Sequence, residues 1–219
     1  METLSVTQEY LLFALEKSKG KIGSLGEEKH FLVAGGIVEL GSGGYIVRNE
    51  KGKLIQGKVF ESGAPYLMLL YNNISSKKKS KDVIESFEDI SEKFLDELVQ
   101  SLCLSLVEKG CAEEVTKDGL FGKKKRCCVN LSAVDAAIAK IRDEFQREEP
   151  LSTDTAILVT MLEKSDLLGR YFSKYESKRF KKRLKEAHIN NSNDLLMDVL
   201  NAYESISAAI VIASTVVSH

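Results

Sequence analysis

The chain has 219 residues, of which 43% are apolar and 29% charged, and its formal net charge is -1. A chain of this length can bury a core without disulfides or metal, and the composition argues against a disordered protein, a fibre and a membrane span. The near-neutral total also excludes a uniformly basic coat for nucleic acid, although separate basic patches stay open.

Two helices are predicted in the first forty residues. Ser5 and Gln8 have the spacing of a capping box, so a helix should begin there and stop at Gly20. A second helix is predicted over about 27–40. The glycine pair at 35–36 lies inside this helix, which indicates the close approach of another backbone.

A hairpin, a short helix, a loop and a long helix are predicted between residues 45 and 110. Apolar and polar residues alternate over 45–55 around a turn, which predicts a hairpin. A short helix at about 65–72 and a solvated loop at 75–81 should follow. The apolar stripe over about 90–109 predicts a long amphipathic helix that ends at Gly110.

A second hairpin is predicted over residues 112–129. Lys117-Asp118-Gly119 is the expected turn, and the returning strand carries the basic run at 123–126. Ser132 and Asp135 indicate the start of a further helix. The last three helices are predicted at about 152–164, 166–187 and 192–217.

Motifs of catalysis or metal binding are not apparent in the sequence. Residues 36–43 resemble a phosphate loop, but Ser42 stands where that motif needs lysine, and the glycines close a helix. The histidines, His30, His188 and His219, are not spaced with other ligands as in a metal site. We therefore predict no catalytic residue, no metal and no cofactor, and the protein is not expected to be an enzyme.

The cysteines and the termini favour a cytoplasmic protein. The four cysteines match neither a disulfide framework nor a zinc site, which fits reduced thiols. Residues 1–20 do not read as a signal peptide. The most apolar run, 206–217, is shorter than the roughly 20 residues of a membrane span, so a buried helix is expected there. The cysteines are Cys103, Cys111, Cys127 and Cys128.

Clustered cations are the strongest functional signal. On the predicted helix near 176–187, four lysines share one face while Phe180 and Leu184 occupy the other. This pattern fits either a solvated outer face or a surface for anionic lipid or nucleic acid. The same two interpretations remain open for the basic run on the second hairpin. The candidate lipid-binding residues are Lys123, Lys124, Lys125, Arg126, Lys178, Lys181, Lys182 and Lys185.

The order of these elements, together with three motifs, resembles the Golgi phosphoprotein 3 family. The motifs are the opening stretch from Leu4 to Leu15, the run Ile37-Val38-Glu39-Leu40 leading to Tyr45-Ile46, and Leu106-Val107-Glu108-Lys109-Gly110. They cover roughly residues 4–146. The family's long polar N-terminal arm is not seen ahead of Leu4, which suggests a short member of a prokaryotic kind.

The resemblance implies a mainly helical, compact single domain, here residues 1–219, on the cytosolic face of membranes. Eukaryotic members bind phosphatidylinositol 4-phosphate and recruit glycosyltransferase tails. Their hairpin after the long helix implies self-association, which would here involve Leu120 and Phe121. Their lipid pocket uses one tryptophan and three arginines, and the corresponding residues of this chain do not match that set. These residues are Ser24, Val33, Asp96 and Val99.

The leading hypothesis is a peripheral membrane adaptor that contacts anionic lipid through the basic hairpin, assisted by the lysine face at 178–185. Its expected partners are an anionic membrane surface, a protein client and a second copy of the chain bound through the 112–129 hairpin. One alternative is a winged-helix-type nucleic-acid binder with the hairpin as its wing. Acidic residues on the long helix disfavour nucleic acid. A helical scaffold that binds only protein is the other alternative.

Overall fold

The computed structural model describes residues 3–51, 54–61, 63–76, 90–119 and 122–190. It is 66% helical with two small antiparallel sheets, which confirms the predicted mainly α class. The helices are α1 (Val6–Ser18), α2 (Glu28–Ser42), α3 (Pro65–Ser76), α4 (Glu92–Glu108), α5 (Leu131–Gln146), α6 (Thr153–Lys164), α7 (Leu168–Tyr171) and α8 (Lys174–Asn190). The strands are β1 (Ile46–Arg48), β2 (Leu54–Gln56), β3 (Ala112–Gly119) and β4 (Gly122–Val129), paired β1 with β2 and β3 with β4.

Helix α1 lies in the centre of the fold. All ten residues from Val6 to Leu15 are buried, and the helix contacts α2, α4, α5, α6 and β4. The predicted capping box is confirmed, because Ser5 accepts a hydrogen bond from the Gln8 N–H and the Gln8 side chain accepts one from the Ser5 N–H. A helix surrounded by other elements must find partners for every polar side chain it carries.

For Gln8 and Glu9 those partners come from two neighbouring helices. Gln8 donates to the Ser105 hydroxyl of α4 over 3.0 Å, and Lys140 of α5 donates to both carboxylate oxygens of Glu9. Burial raises the pKa of Glu9, and the Lys140 ammonium opposes that rise. Each polar group of α1 described here therefore ties the helix to another part of the core.

The N-terminus of α1 is held by a carboxylate from α2. Glu39 accepts a hydrogen bond from the Thr7 N–H at 2.8 Å and another from the Tyr66 hydroxyl of α3 at 2.7 Å. The unsatisfied N–H groups at a helix start favour a negative charge. Glu39 thus joins α1, α2 and α3 at one point.

The glycine pair in α2 allows close packing, but the predicted approach of another backbone is wrong, because side chains fill the space. A Cβ added to Gly35 would lie 2.7 Å from the Thr7 Oγ1 and 3.1 Å from the Met161 Cε. At Gly36 it would lie 2.6 Å from a methyl carbon of Leu70. Helix α2 therefore packs tightly on α1 and α6 with one glycine and on α3 with the other.

Helix α1 ends at a glycine that also supports the second hairpin. Lys19 and Gly20 both adopt left-handed backbone conformations, which confirms the predicted stop at Gly20. The Gly20 carbonyl accepts a hydrogen bond from the Cys127 N–H at 3.0 Å, and a Cβ on Gly20 would lie 2.7 Å from the Cys127 carbonyl oxygen. Only glycine fits both the left-handed conformation and this contact.

The predicted single helix over 166–187 is wrong, because the chain is interrupted between α7 and α8. Phe172 leaves the helical conformation, and Ser173 begins a new helix through a capping box with Glu176. The start predicted at Ser132 is also slightly late, since Asn130 occupies the cap position of α5. The earlier predicted helices and the first hairpin are confirmed within a few residues.

Within the described ranges, no helix is both long and apolar enough to cross a bilayer. The predicted loop at 75–81 lies largely outside the described residues, and its first two residues belong to α3. The predicted helix at 192–217, with the apolar run at 206–217, lies wholly outside them.

Candidate functional site

The second hairpin is longer than its turn signal suggested. Gly119 pairs with Gly122, so the predicted turn at Lys117-Asp118-Gly119 is wrong, and those residues belong to strand β3. The connection consists of Leu120 and Phe121, the predicted self-association residues, which lie outside the described part of the chain. The strand pairing thus extends through the Asp-Gly turn signal and overrides it.

The pleat of the hairpin separates the four basic residues into two pairs. Positions 123 and 125 share the side of Cys127, which faces α4, whereas 124 and 126 lie on the opposite side. On that opposite side Lys124 is the Cα partner of Lys117, and Val115 is the partner of Arg126. Like charges placed opposite each other destabilise a hairpin unless an anion lies between them.

One of the four predicted cations has a carboxylate partner in its own hairpin. The Lys125 Nζ lies 2.9 Å from a carboxylate oxygen of Glu114, and the Lys125 side chain remains 73% exposed. Arg126 is partly buried. An ion pair this exposed contributes roughly 0–1 kcal/mol, so it would yield to a stronger anion.

The basic face predicted on the last helix is present on α8. Phe180 and Leu184 are buried, as predicted, and all four lysines of the opposite face are exposed. Two more residues belong to this face. Tyr175, with 78% of its surface exposed, and Arg179 line the same shallow depression as the lysines. We call this set the α8 basic face; it consists of Tyr175, Lys178, Arg179, Lys181, Lys182 and Lys185.

The cations of the α8 basic face are only partly neutralised. Lys181 lies 2.9 Å from Glu163 of α6, and Lys182 lies 3.9 Å from Glu186 one turn further along α8. For Lys178, Arg179 and Lys185 the described residues provide no carboxylate within ion-pair distance. Their positive charge is therefore open to solvent in the part of the chain that the structure covers.

Helix α8 is fixed at its beginning by a network around Glu176. This carboxylate accepts hydrogen bonds from the Ser173 N–H and hydroxyl and from the Arg142 Nε of α5 at 2.7 Å. The hydrogen bond from Arg142, together with those from Ser173, lowers the pKa of Glu176 to about 2. Glu176 therefore stays charged and keeps α8 joined to α5 at neutral pH.

The other half of α8 is held by Arg183. Its guanidinium donates hydrogen bonds to the carbonyl oxygens of Glu144, Arg147 and Glu149, which lie in and just beyond the last turn of α5. It also lies over the Phe145 ring, and Phe145 packs against Phe180 with ring centroids 4.2 Å apart. One cation of α8 thus serves the fold, whereas the α8 basic face points outward.

The hairpin and α8 rest on different parts of the molecule. The principal contacts of the hairpin are with α4 and α1, and those of α8 are with α6 and α7. Among the described residues, the two predicted basic segments therefore differ in their principal supporting elements. Tyr175 and Arg179 were missed by sequence reasoning, although Tyr175 precedes Lys178 by three residues and helical spacing alone places it on the same face.

The positions of the family's lipid pocket have a different chemistry in this chain. Val33 and Val99 are buried, and Ser24 is exposed. The Lys29 Nζ donates to Asp96 at 2.7 Å and to Glu92 at 3.0 Å. Burial opposes the charge of Lys29, but its two carboxylate partners outweigh burial and raise its pKa. This region is therefore an internal ion-pair cluster with surplus negative charge.

No cluster of three or more metal-ligating side chains occurs among the residues that the structure describes. The four cysteines are free thiols. Cys103 and Cys127 approach each other at the floor of a cavity between α4 and the second hairpin. No sequence motif indicates this pair, because the two residues are far apart along the chain and come together only through tertiary packing.

Comparisons with known proteins agree with the resemblance found in the sequence. A search of curated proteins found no match. The sequence profile of the Golgi phosphoprotein 3 (GPP34) family matches residues 6–202, which include every helix and strand described above. Since this match extends over most of the 219 residues, the chain belongs to the Golgi phosphoprotein 3 family.

Proposed function

We propose that this protein is a peripheral, adaptor-like protein that binds anionic membrane surfaces mainly through the α8 basic face. The observation that supports this best is a group of five exposed cations around an exposed tyrosine on one side of a firmly held helix. The second hairpin would be an additional contact through its side that holds positions 117, 124 and 126.

The composition of the α8 basic face suits a lipid surface. Lysine ammonium groups are mobile point charges that pair with phosphate without needing a shaped pocket, and their aliphatic stems tolerate partial burial. Tyrosine is favoured at the boundary between water and acyl chains. Each cation near an anionic leaflet contributes about 1 kcal/mol, so several together would give reversible attachment.

The proposal is for recognition of surface charge. Headgroup-specific binding at the family's pocket would need several fixed cations, whereas Asp96 and Glu92 would repel phosphate there. The protein would therefore distinguish anionic from neutral membranes more strongly than one phosphoinositide from another.

The nucleic-acid alternative is less well supported by the long helix. Helix α4 is largely buried by α2, α3 and β3. Among its exposed positions Glu92, Glu97 and Glu108 outnumber Lys93. A recognition helix must enter a groove between phosphates, and this one offers them mainly negative charge.

The family is not a known enzyme family, and we propose a non-catalytic role for this member. An adaptor would also bind a protein client while attached to the membrane. The same α8 basic face cannot serve client and lipid at once, so the client would use another surface. A scaffold that binds only protein would leave vesicles unbound.

Vesicle co-sedimentation tests the proposal. The protein is mixed with vesicles of neutral lipid alone and with vesicles in which about 30% of the lipid is phosphatidylserine. It is mixed with duplex DNA in a parallel gel shift. We expect pelleting only with anionic vesicles, weakening as salt rises. The variant Lys178→Gln/Lys182→Gln/Lys185→Gln should weaken binding on the order of 100-fold, at about 1 kcal/mol per cation.

The matched control removes three exposed lysines elsewhere, in Lys51→Gln/Lys58→Gln/Lys93→Gln, and should bind nearly as well as the unchanged protein. Equal pelleting with neutral and anionic vesicles would refute the proposal. Equal weakening by both triple variants would show that net charge and not the α8 basic face matters. Retarded DNA without vesicle binding would favour the nucleic-acid alternative.

A further inference from the structure

A cavity of about 390 Å³ lies between α4 and the second hairpin, and two thiols form part of its wall. Cys103 comes from α4 and Cys127 from β4. Apolar Leu104 and polar Gln100 line it from α4, and the Glu114–Lys125 ion pair lines it from the hairpin. The membrane proposal does not use this cavity.

The two thiols are buried in protein and are in contact with each other. Cys127 is 1% and Cys103 is 6% exposed, and the two thiols lie close enough for each to shift the pKa of the other. A disulfide between them would form once the two sulfurs approach to a bond length of about 2 Å. The cavity provides access for a small reagent, whereas the exposed surface of either sulfur is too small for a bulky disulfide donor.

We propose that Cys103 and Cys127 form an oxidisable thiol pair that a small hydroperoxide converts into a disulfide linking α4 to the hairpin. The Cys127 thiolate attacks the O–O bond of the hydroperoxide, forms a sulfenic acid and releases an alcohol, or water from hydrogen peroxide. The Cys103 sulfur then attacks the Cys127 sulfur, breaks the S–O bond and releases water. Two thiols are oxidised and one hydroperoxide is reduced.

The surroundings of the pair assign the two roles. The hydrogen bond from Cys103 lowers the pKa of Cys127 despite its burial, and the same contact raises the pKa of Cys103. Cys127 is therefore the attacking sulfur and Cys103 the one that completes the disulfide. The negative charge of Glu114 opposes deprotonation of Cys127, so Glu114 is a positioning residue that moderates the reaction.

The other two cysteines serve as internal controls. Cys111 is buried and its sulfur contacts the Lys109 carbonyl oxygen at 3.6 Å. Cys128 follows Cys127 in β4, so it occupies the opposite side of the ladder, next to Gly20. Neither lines the cavity.

The experiment oxidises the reduced full-length protein with hydrogen peroxide, alkylates the remaining thiols and maps cross-linked peptides by mass spectrometry. We expect a Cys103–Cys127 link, a mass lower by two hydrogen atoms and alkylation of Cys111 and Cys128, all reversed by a dithiol reductant. The variant Cys111→Ser/Cys128→Ser should behave in the same way. Cys103→Ser should stop at a sulfenic acid on Cys127 that a dimedone probe captures.

Glu114→Gln provides a readout that a purely structural role would not change. The pH at which Cys127 becomes half reactive should fall, because the opposing charge is gone and Lys125 is released from its partner. The proposal is overturned if the wild-type protein keeps both thiols, if it forms another disulfide, or if Cys103→Ser leaves the yield of linked product unchanged. A vesicle-binding result of either kind does not affect these outcomes.

Discussion

A single carboxylate, that of Glu39, connects three helices where they meet. Glu39 is an acidic residue inside an otherwise apolar run, and its purpose becomes visible only in three dimensions. It accepts from the Thr7 N–H and the Tyr66 hydroxyl, so one carboxylate serves three helices. The sequence motif showed that the residue stands out; its partners could not be predicted, because they lie 27 and 32 positions away.

Replacing Glu39 by glutamine should lower the stability of the protein. The amide keeps the size but loses the charge that attracts the N-terminus of α1, and hydrogen bonds to charged groups contribute about 1.5–3 kcal/mol. We expect the thermal midpoint to fall by roughly 4–8 °C for a loss of about 2 kcal/mol. Calorimetry measures this, with the exposed Glu61→Gln as control. An unchanged midpoint would mean that the Glu39 charge does not stabilise α1.

Gly35 should be equally intolerant of change, for a steric reason. The added methyl of Gly35→Ala meets Thr7 Oγ1 and Met161 Cε, and overpacking of this kind costs about 1–3 kcal/mol. Gly169→Ala, in another helix with nothing within 4 Å, should be neutral or slightly stabilising. Urea unfolding compares the two.

The Gly35 prediction has a further check in a double-mutant cycle. Among the residues that the structure describes, the buried Thr7 hydroxyl has no hydrogen-bond partner. Thr7→Ala removes the oxygen that the new methyl would meet, so Gly35→Ala should be less damaging in that background than alone. Additive losses would show that the contact with Thr7 is not the source of the strain.

At the scale of elements, capping boxes mark the starts of helices α1 and α8 to the residue. The Ser5–Gln8 box correctly located α1, and the same chemistry at Ser173–Glu176 begins α8. That second box lies inside a continuous helical pattern, and the pattern predicts one uninterrupted helix there. The break at Phe172 matters for the proposed membrane contact because it sets the rotation of α8 and hence the direction of its basic face.

The cap of α8 should make stability depend on pH in acid. The pKa of Glu176 in the folded protein, about 2, lies below its ordinary value of 4.5. Its contribution is therefore complete above about pH 5 and is lost as the pH falls towards 2. The difference in thermal midpoint between wild type and Glu176→Gln should be constant near neutral pH. It should shrink towards zero as the pH falls from about 5 to about 2.

Glu186→Gln is the matched control for the acid prediction. Glu186 lies on the same helix, is exposed and has its nearest cation, Lys182, 3.9 Å away. Thermal scans of this variant should follow those of wild type at every pH. If the Glu176→Gln gap persists unchanged at pH 2, the network with Arg142 and Ser173 is not the cause.

At the scale of the whole molecule, the fold class and the family were predictable from the sequence, and the candidate site only in part. Helical spacing alone defined the lysine face of α8. To predict which cations of the hairpin share a side, the strand register is needed as well. The four consecutive cations divide between the two sides of the ladder, and Lys125 pairs with Glu114. The cysteine pair needed the tertiary structure.

The second hairpin also predicts an assembly of two chains. In the described part of the chain no further strand pairs with β3 or β4, and the Cys127 N–H of β4 already donates to Gly20, so a further strand would add along the rest of the outer edges. Sedimentation velocity should show concentration-dependent dimers that Leu120→Ser/Phe121→Ser abolishes. Val47→Ser/Val59→Ser, which also removes two exposed apolar side chains, should leave them intact. A monomer at every concentration in the wild type would contradict this.

The double attachment of α8 has a consequence for the speed and strength of docking. Arg142 hydrogen-bonds to Glu176 at the start of α8, and Arg183 hydrogen-bonds to the end of α5. The backbone that carries the outward-facing lysines is therefore fixed in place before any ligand binds. Only the side-chain tips remain to be ordered on contact, so the entropic penalty of attachment stays small. Such an array would engage and release a charged sheet of lipid without any refolding step.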